Sequence, residues 1–329
     1  MTLDIIVPHY DEPFSEGRKL FDMLALQRDI DFSQFRVICI NDGEENDIYP
    51  QIVRRDYPYE VICITIPHKG VSAARNRGLK FSTAKWVMFC DFDDTFTSIY
   101  SLRSIFDTLD TEDFDMLWYP FYIETCKEQK RQTREDFNLT FIHGKVYRRS
   151  FLIEHDIWFE ESLYFSEDTA FNNVVHMEMD HSRIGHIRTE IIPYVWSFRP
   201  LSCTTSPEKM YRNSVCLFRR QLYVADQFLK RGKQEEHDAL CIRAMCDAYV
   251  ALNRTDIDED RSEFADEVWR FYKDHQSISV SMEVIEIALN GAMKEMSAPQ
   301  EALPEDKPFL KWLSEFASEK KGVANVGKV

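Results

Sequence analysis

Trp86-Val87-Met88-Phe89-Cys90-Asp91-Phe92-Asp93-Asp94 is the stretch from which the fold can be read. Five apolar residues run straight into three carboxylates. A short, continuously apolar run suits a strand covered on both faces, as in a parallel sheet. The carboxylates then stand at the strand's carboxyl end, where open α/β sheets bind their ligands. Acidic groups this close repel one another, and apolar neighbours exclude the water that would screen them. A cation or strong hydrogen-bond donors must neutralise them. Oxygen ligands of this kind suit Mg²⁺ or Mn²⁺, which are commonly shared with a phosphate group. A solvated acidic turn is the plainer alternative.

The same texture repeats on either side. Leu3–Val7, Phe35–Ile40, Tyr59–Ile66 and Asp115–Tyr119 are apolar runs of strand length. Glu16–Arg28 and Gly70–Lys80 carry apolar residues at helical spacing. This alternation predicts parallel strands joined by crossover helices. After the first strand comes Pro8-His9-Tyr10-Asp11-Glu12, after the second Asn41-Asp42-Gly43-Glu44, and after the third Pro67-His68-Lys69-Gly70. With the acidic triplet, four successive strand ends converge on one rim. Glu167-Asp168 follows the aromatic Leu163-Tyr164-Phe165. A carboxylate beside apolar neighbours can have its pKa raised and act as a general base, although acidic residues are favoured at helix N-termini anyway. Arg75 and Arg77, on the helix after Gly70, can meet anions. Their glycine spacing fits neither a Walker loop nor a dinucleotide fingerprint, and solvated surface charge is the simpler account.

Farther along, Gly144–His155 is read as a helix and Thr189–Ser197 as short strands. From Pro207 the periodicity is helical, over Met210–Lys233, Glu235–Asn253, Phe264–His275, Met282–Met296 and Phe309–Glu319. The chain therefore divides into an α/β domain, residues 1–205, and an all-helical region, residues 206–329, suited to acceptor binding or oligomerisation. Its 44% hydrophobic content excludes global disorder, and 40 basic against 56 acidic residues leave a formal charge of −16. That balance disfavours polyanions for the surface as a whole. Lys209, Arg212, Arg219, Arg220, Lys230, Arg231 and Lys233 form a local basic run, read first as a solvated helix face and second as a polyanion or membrane surface. The eight cysteines show no metal-knuckle or redox spacing and read as reduced thiols of a cytoplasmic protein. No signal peptide or membrane-spanning run is expected, though membrane association through the basic face stays open.

Taken in order, Ile5-Ile6-Val7-Pro8-His9-Tyr10-Asp11-Glu12, Ile40-Asn41-Asp42-Gly43, Lys69-Gly70-Val71-Ser72-Ala73-Ala74-Arg75-Asn76-Arg77-Gly78-Leu79 and Phe89-Cys90-Asp91-Phe92-Asp93-Asp94 resemble the successive motifs of family 2 glycosyltransferases. Gly144-Lys145-Val146-Tyr147-Arg148-Arg149-Ser150-Phe151 is similar to that family's acceptor-side segment, and Phe165-Ser166-Glu167-Asp168-Thr169-Ala170-Phe171 to its Glu-Asp motif. The resemblance implies a GT-A fold and metal-dependent, inverting transfer from a nucleotide-diphosphate sugar, foremost a UDP-sugar. The acceptor would be a hydroxyl, on a glycan or a phosphate-containing polymer. By the same resemblance Pro8, Tyr10 and Glu12 line the nucleoside pocket, Asp42 reads the base edge, and Arg75 lies near the nucleotide. Asp91 approaches the ribose, Asp93 and Asp94 hold Mn²⁺ or Mg²⁺, Arg199 faces the diphosphate, and Asp168 is the base. His9, Asp11, Asn41 and Lys69 depart from the family's usual residues and bear on donor identity.

Two other readings compete. Val87–Thr95 also resembles the first motif of haloacid-dehalogenase-type phosphatases, with Asp91 as nucleophile and Asp93 as acid/base. That reading needs a Ser or Thr at the end of the next strand, where Trp118-Tyr119-Pro120-Phe121 stands. A non-catalytic nucleotide-sugar-binding protein is the third, and the intact acidic residues argue against it.

Overall fold

Apolar runs leave little wet face: Leu3–His9, Phe35–Asp42 and Trp86–Phe89 are strands buried almost throughout, while Glu60–Ile66 at the sheet edge is half-buried. A computed structural model describes the chain except for residues 44–47, 110–113, 125–130, 135–138, 198–208, 256–257, 279–280, 298–302, 304–307 and 327–329. The chain falls into two compact units, Met1–Pro200 and Leu201–Val329. The first begins β1 (Leu3–His9), α1 (Phe14–Ala25), β2 (Phe35–Asp42), α2 (Tyr49–Val53), β3 (Glu60–Ile66), α3 (Val71–Phe81) and β4 (Trp86–Phe89). It continues with β5 (Thr95–Phe96), α4 (Ser101–Leu109), β6 (Met116–Trp118), β7 (Phe121–Glu124), β8 (Arg131–Arg134), β9 (Lys145–Arg148), α5 (Arg149–Glu154), α6 (Glu167–Glu178), β10 (Ile184–His186) and β11 (Tyr194–Trp196).

Seven strands form one mixed sheet in the order β10-β6-β9-β4-β1-β2-β3. Strand β1 is buried along its whole length and runs parallel to β2 on one side and β4 on the other, with Ile6 opposite both Ile38 and Phe89. The chain steps outward from β1 to β2 and β3, then returns past β1 to β4. Strand order therefore reverses between β1 and β4, which places the ligand crevice at their carboxyl ends. Helix α3 can lie close on β1 because Gly78 has no side chain; a Cβ there would stand 2.4 Å from Ile6 Cγ2. A second sheet, β5-β11-β7-β8, carries Tyr194 and Trp196.

The structure corrects one element reading. Gly144–His155 is not a single helix: Lys145–Arg148 forms β9, antiparallel to both β4 and β6, and only Arg149–Glu154 is helical. The strand is four residues long, too short for its sequence to show a period. Gly144 permits the turn into it, with φ at +69° and a Cβ position 2.5 Å from the Tyr119 carbonyl oxygen. The first four strands otherwise lie where the apolar runs put them. Of the Thr189–Ser197 stretch, Tyr194–Trp196 forms a strand.

The second unit contains α7 (Met210–Lys230), α8 (Gln234–Asn253), α9 (Ser262–Asp274), α10 (Met282–Glu295) and α11 (Phe309–Val326). Arg220 of α7, with a side chain 5% exposed, pairs with Glu295 of α10; Arg243 of α8 reaches Glu295 at 2.8 Å and Asp247 at 2.9 Å. The basic run is thus partly neutralised from within, since Arg219 meets Glu267 at 2.7 Å and Lys230 meets Asp226 at 2.6 Å. No helix among the described residues is long and apolar enough to cross a membrane.

Candidate active site

The turn after β4 brings Asp91, Asp93 and Asp94 to the crevice, and the start of α6 brings Glu167 and Asp168. Arg75 joins the two sets. It lies on the buried face of α3 with its side chain 3% exposed. Its guanidinium donates to Asp91 Oδ1 at 2.9 Å, to Glu167 Oε1 at 2.9 Å and to Asp168 Oδ1 at 2.7 Å, above the Phe159 ring. Burial opposes the Arg75 charge, but the three carboxylates outweigh it and keep the group cationic. The reading of Arg75 as surface charge is therefore replaced: it is the cation of the acidic site.

Asp168 is held by both oxygens, Oδ1 by Arg75 and Oδ2 by the Ile142 N–H at 3.2 Å. Burial raises its pKa to about 6, against the opposing pull of Arg75 and with help from Glu167 and Asp91. Asp94 has no exposure at all. Its Oδ1 accepts the Ser197 N–H at 2.8 Å and its Oδ2 the Tyr194 hydroxyl, which ties the acidic turn to β11. Burial, with Asp91 and Asp93 nearby, pushes its pKa well up.

Residues that sequence reasoning passed over complete the site. His143 is 3% exposed, with Nε2 3.8 Å from Asp91 Oδ2 and Nδ1 3.7 Å from Asp94 Oδ2. It is stacked between Tyr194 and Trp196, and its buried Nδ1 has no hydrogen-bond partner. Donor atoms of Asp91, Asp94 and His143 all lie within 4.8 Å of one another, whereas half-buried Asp93 is outside that cluster. Lys145 is buried against Trp118 and donates to the Phe141 carbonyl; burial lowers its pKa to about 7, with Asp168 opposing. The signal for both was the Gly144 segment, which fixes His143 and Lys145 once β9 is known to be a strand.

On the β1 and β2 side, Tyr10 is 49% exposed and stacks on His68 with ring centroids 4.1 Å apart. Its N–H donates to Glu12 Oε2 at 3.2 Å, and Pro8 is buried within β1. Asp42, expected to face a base, has its carboxylate turned to the neighbouring turn. It accepts the Lys69 and Gly70 N–H groups, each at 2.8 Å, and His68 Nδ1 at 2.9 Å. Two of the family departures meet each other: His9 Nδ1 lies 2.7 Å from Asn41 Oδ1, while Asn41 Nδ2 donates to the Gly43 carbonyl. Arg199 lies outside the described residues.

A mixed sheet with clustered carboxylates at its switch point, followed by helices, is the arrangement of the GT-A glycosyltransferases. The model of the glycosyl transferase family 2 matches residues 4–186, more than half of the chain, and the chain belongs to that family. That membership does not accord with the phosphatase reading. Among curated relatives in Bacillus subtilis (strain 168), the uncharacterized glycosyltransferase EpsJ is 25% identical over 232 residues, 63% of this chain and 64% of EpsJ. The minor teichoic acid biosynthesis protein GgaA is 31% identical over 192 residues, 51% of this chain and 42% of GgaA. The chain thus spans less than two thirds of the length of either relative. Among solved structures, residues 1–349 of S. aureus TarS in complex with UDP-GlcNAc share the fold with a TM-score of 0.59 and 18% identity, covering 93% of this chain and 82% of that one.

Proposed function

We propose that the chain transfers a sugar from a UDP-sugar to an acceptor hydroxyl in one displacement with inversion, using a divalent cation. The observation that carries this reading is the Arg75 bridge, which draws the triplet and the Glu-Asp pair into one site. Three carboxylates surround that single guanidinium, so the site keeps an excess of negative charge that suits a cation. Two carboxylates and an imidazole whose Nδ1 is buried and unpartnered fit Mn²⁺ or Mg²⁺, the imidazole favouring Mn²⁺. Asp91, Asp94 and His143 would hold the ion, with Asp93 beside them. Once bound, it would neutralise charge on the departing diphosphate.

Asp168 takes the acceptor hydroxyl proton while the oxygen attacks the anomeric carbon from the face opposite the nucleotide. The new carbon–oxygen bond forms as the bond to the diphosphate breaks, UDP leaves, and the proton stays on the carboxyl. Arg75 and the Ile142 N–H orient that carboxylate throughout. Tyr10, with Pro8 and Glu12, would flank the nucleoside, Asp42 would shape the pocket by holding the 68–70 turn, and Arg199 would meet the diphosphate. A phosphate-containing polyhydroxylated acceptor accords with the name of GgaA.

The test is mass spectrometry of products from nucleotide-sugar and acceptor panels, with and without EDTA. Metal-dependent release of UDP with a glycosylated product supports the reading. Turnover from GDP-sugars alone, or turnover indifferent to EDTA, overturns the corresponding part.

A further inference from the structure

The second unit contains a cluster of metal-ligand type that the transferase chemistry does not use. His237 and Cys241 stand one helical turn apart on α8, 7% and 2% exposed, so their side chains share a face. His275, just past α9, turns its ring toward them, with the two imidazole centroids 5.8 Å apart. One donor atom from each of the three residues lies within 4.8 Å of the others.

Partners on the far side of each ring decide which nitrogen faces inward. His237 Nδ1 is 2.9 Å from Asp238 Oδ1, and the same oxygen accepts the Gln234 amide at 2.7 Å, so Nδ1 carries the proton. His275 Nδ1 donates to the Phe271 carbonyl at 2.8 Å. In the neutral ring, the form that binds a metal, each Nε2 is then the lone pair. A carboxylate and a backbone carbonyl behind two imidazoles are the outer contacts that orient histidine ligands. Ligands about 2.0–2.3 Å from a tetrahedral ion lie roughly 3.5 Å apart. Cys241 Sγ is 3.5 Å from His237 Nε2. Cys241 and His275 also line a cavity of about 120 Å³, walled by Met245, Phe271, Phe309 and Leu313, which has room for a water at a fourth position.

We propose that the helical unit binds one Zn²⁺ through His237 Nε2, Cys241 Sγ and His275 Nε2, with the fourth position open to this cavity. Two imidazoles and one thiolate make a donor set for a borderline-soft ion and not for Mg²⁺. As the zinc–sulfur bond forms, the thiol proton leaves to solvent. The ion joins α8 to the end of α9.

The test is Co²⁺ titration of the chelator-treated full-length protein, followed by zinc competition. Expected is one thiolate-to-cobalt charge-transfer band per chain, displaced by zinc. It should persist in Asp93→Asn and disappear in Cys241→Ser and in the His237→Ala/His275→Ala double variant. Zinc affinity should fall roughly 10–100-fold in Asp238→Asn. His275 is half-buried, so His275→Gln is the mildest ligand change, and it should weaken Co²⁺ binding at least tenfold while circular dichroism stays unchanged. Absence of the band in the unmodified protein overturns the site, whatever the variants do. Persistence of the band in Cys241→Ser assigns it to another thiol and overturns it equally.

Discussion

Arg75 and Asp168 place opposite demands on the same few ångströms. Asp168 has to give up a proton to act as a base, yet burial raises its pKa to about 6 from 3.8. Transfer is therefore expected to gain kcat/KM as pH rises and to lose about tenfold per unit below about pH 6. Stability runs the other way: a carboxyl whose pKa is higher in the folded chain favours folding when protonated, so this contribution is lost as pH rises from 3.8 to about 6. A pH–rate profile and denaturant melts over the same range check both signs. Asp168→Asn should abolish turnover while UDP affinity stays within about twofold, because the amide keeps the shape and loses the base. Arg75→Met leaves three carboxylates around a vanished cation and should cost about 3–5 kcal/mol in denaturant unfolding. The acidic triplet and the Glu-Asp pair were legible because carboxylates after apolar runs are costly without a purpose. The bridge between them was not. Arg75 meets Asp168 across 93 positions of chain, and no local pattern carries that separation. The full burial of Asp94 was hidden for the same reason, since Tyr194 and Ser197 cover it from a strand far downstream.

At the scale of elements, β9 does more than its four residues suggest. It separates β4 from β6, turns a parallel sheet into a mixed one, and starts at the glycine that aims His143 into the acidic site. Gly144→Ala forces a side chain into positive φ and against the Tyr119 carbonyl. The expected cost is about 1–3 kcal/mol of stability. It should also lower kcat more than it raises KM, because what shifts is His143 and not the nucleoside face; steady-state kinetics beside thermal melts separate the two effects. Strands β1, β2 and β4 could be read because buried parallel strands are nearly continuous apolar runs, and the charges that break two of these, Asp4 and Arg36, pair with each other at 2.7 Å. Lys-Val-Tyr-Arg has a charge at each end, and the first of them is buried, so β9 has neither an apolar run nor an alternation to give it away. The helices of the second unit were legible from periodicity, whereas the meeting of His237 and Cys241 with His275 depends on how α8 and α9 pack.

For the whole molecule, the charge of −16 is distributed unevenly, and the basic run does not offset it as a free surface. Arg219, Arg220 and Lys230 are each answered by a carboxylate of their own unit. The protein is expected to pass heparin without retention at physiological ionic strength; retention would restore the polyanion-binding reading. The strand order has a further consequence, for biosynthesis. Strand β4 leaves the ribosome long before its antiparallel neighbour β9, and β6 must wait for β10. At roughly 5–20 residues per second, the outer edge of β4 stays unpaired for about 3–12 s after it emerges, and the sheet cannot close for about 5–20 s. An open apolar strand edge is a template for any other chain nearby. Crowding of ribosomes on one message would therefore threaten this protein most between the emergence of Phe89 and Arg148, when Lys85 before the strand and the acidic turn after it are the charges that flank that edge.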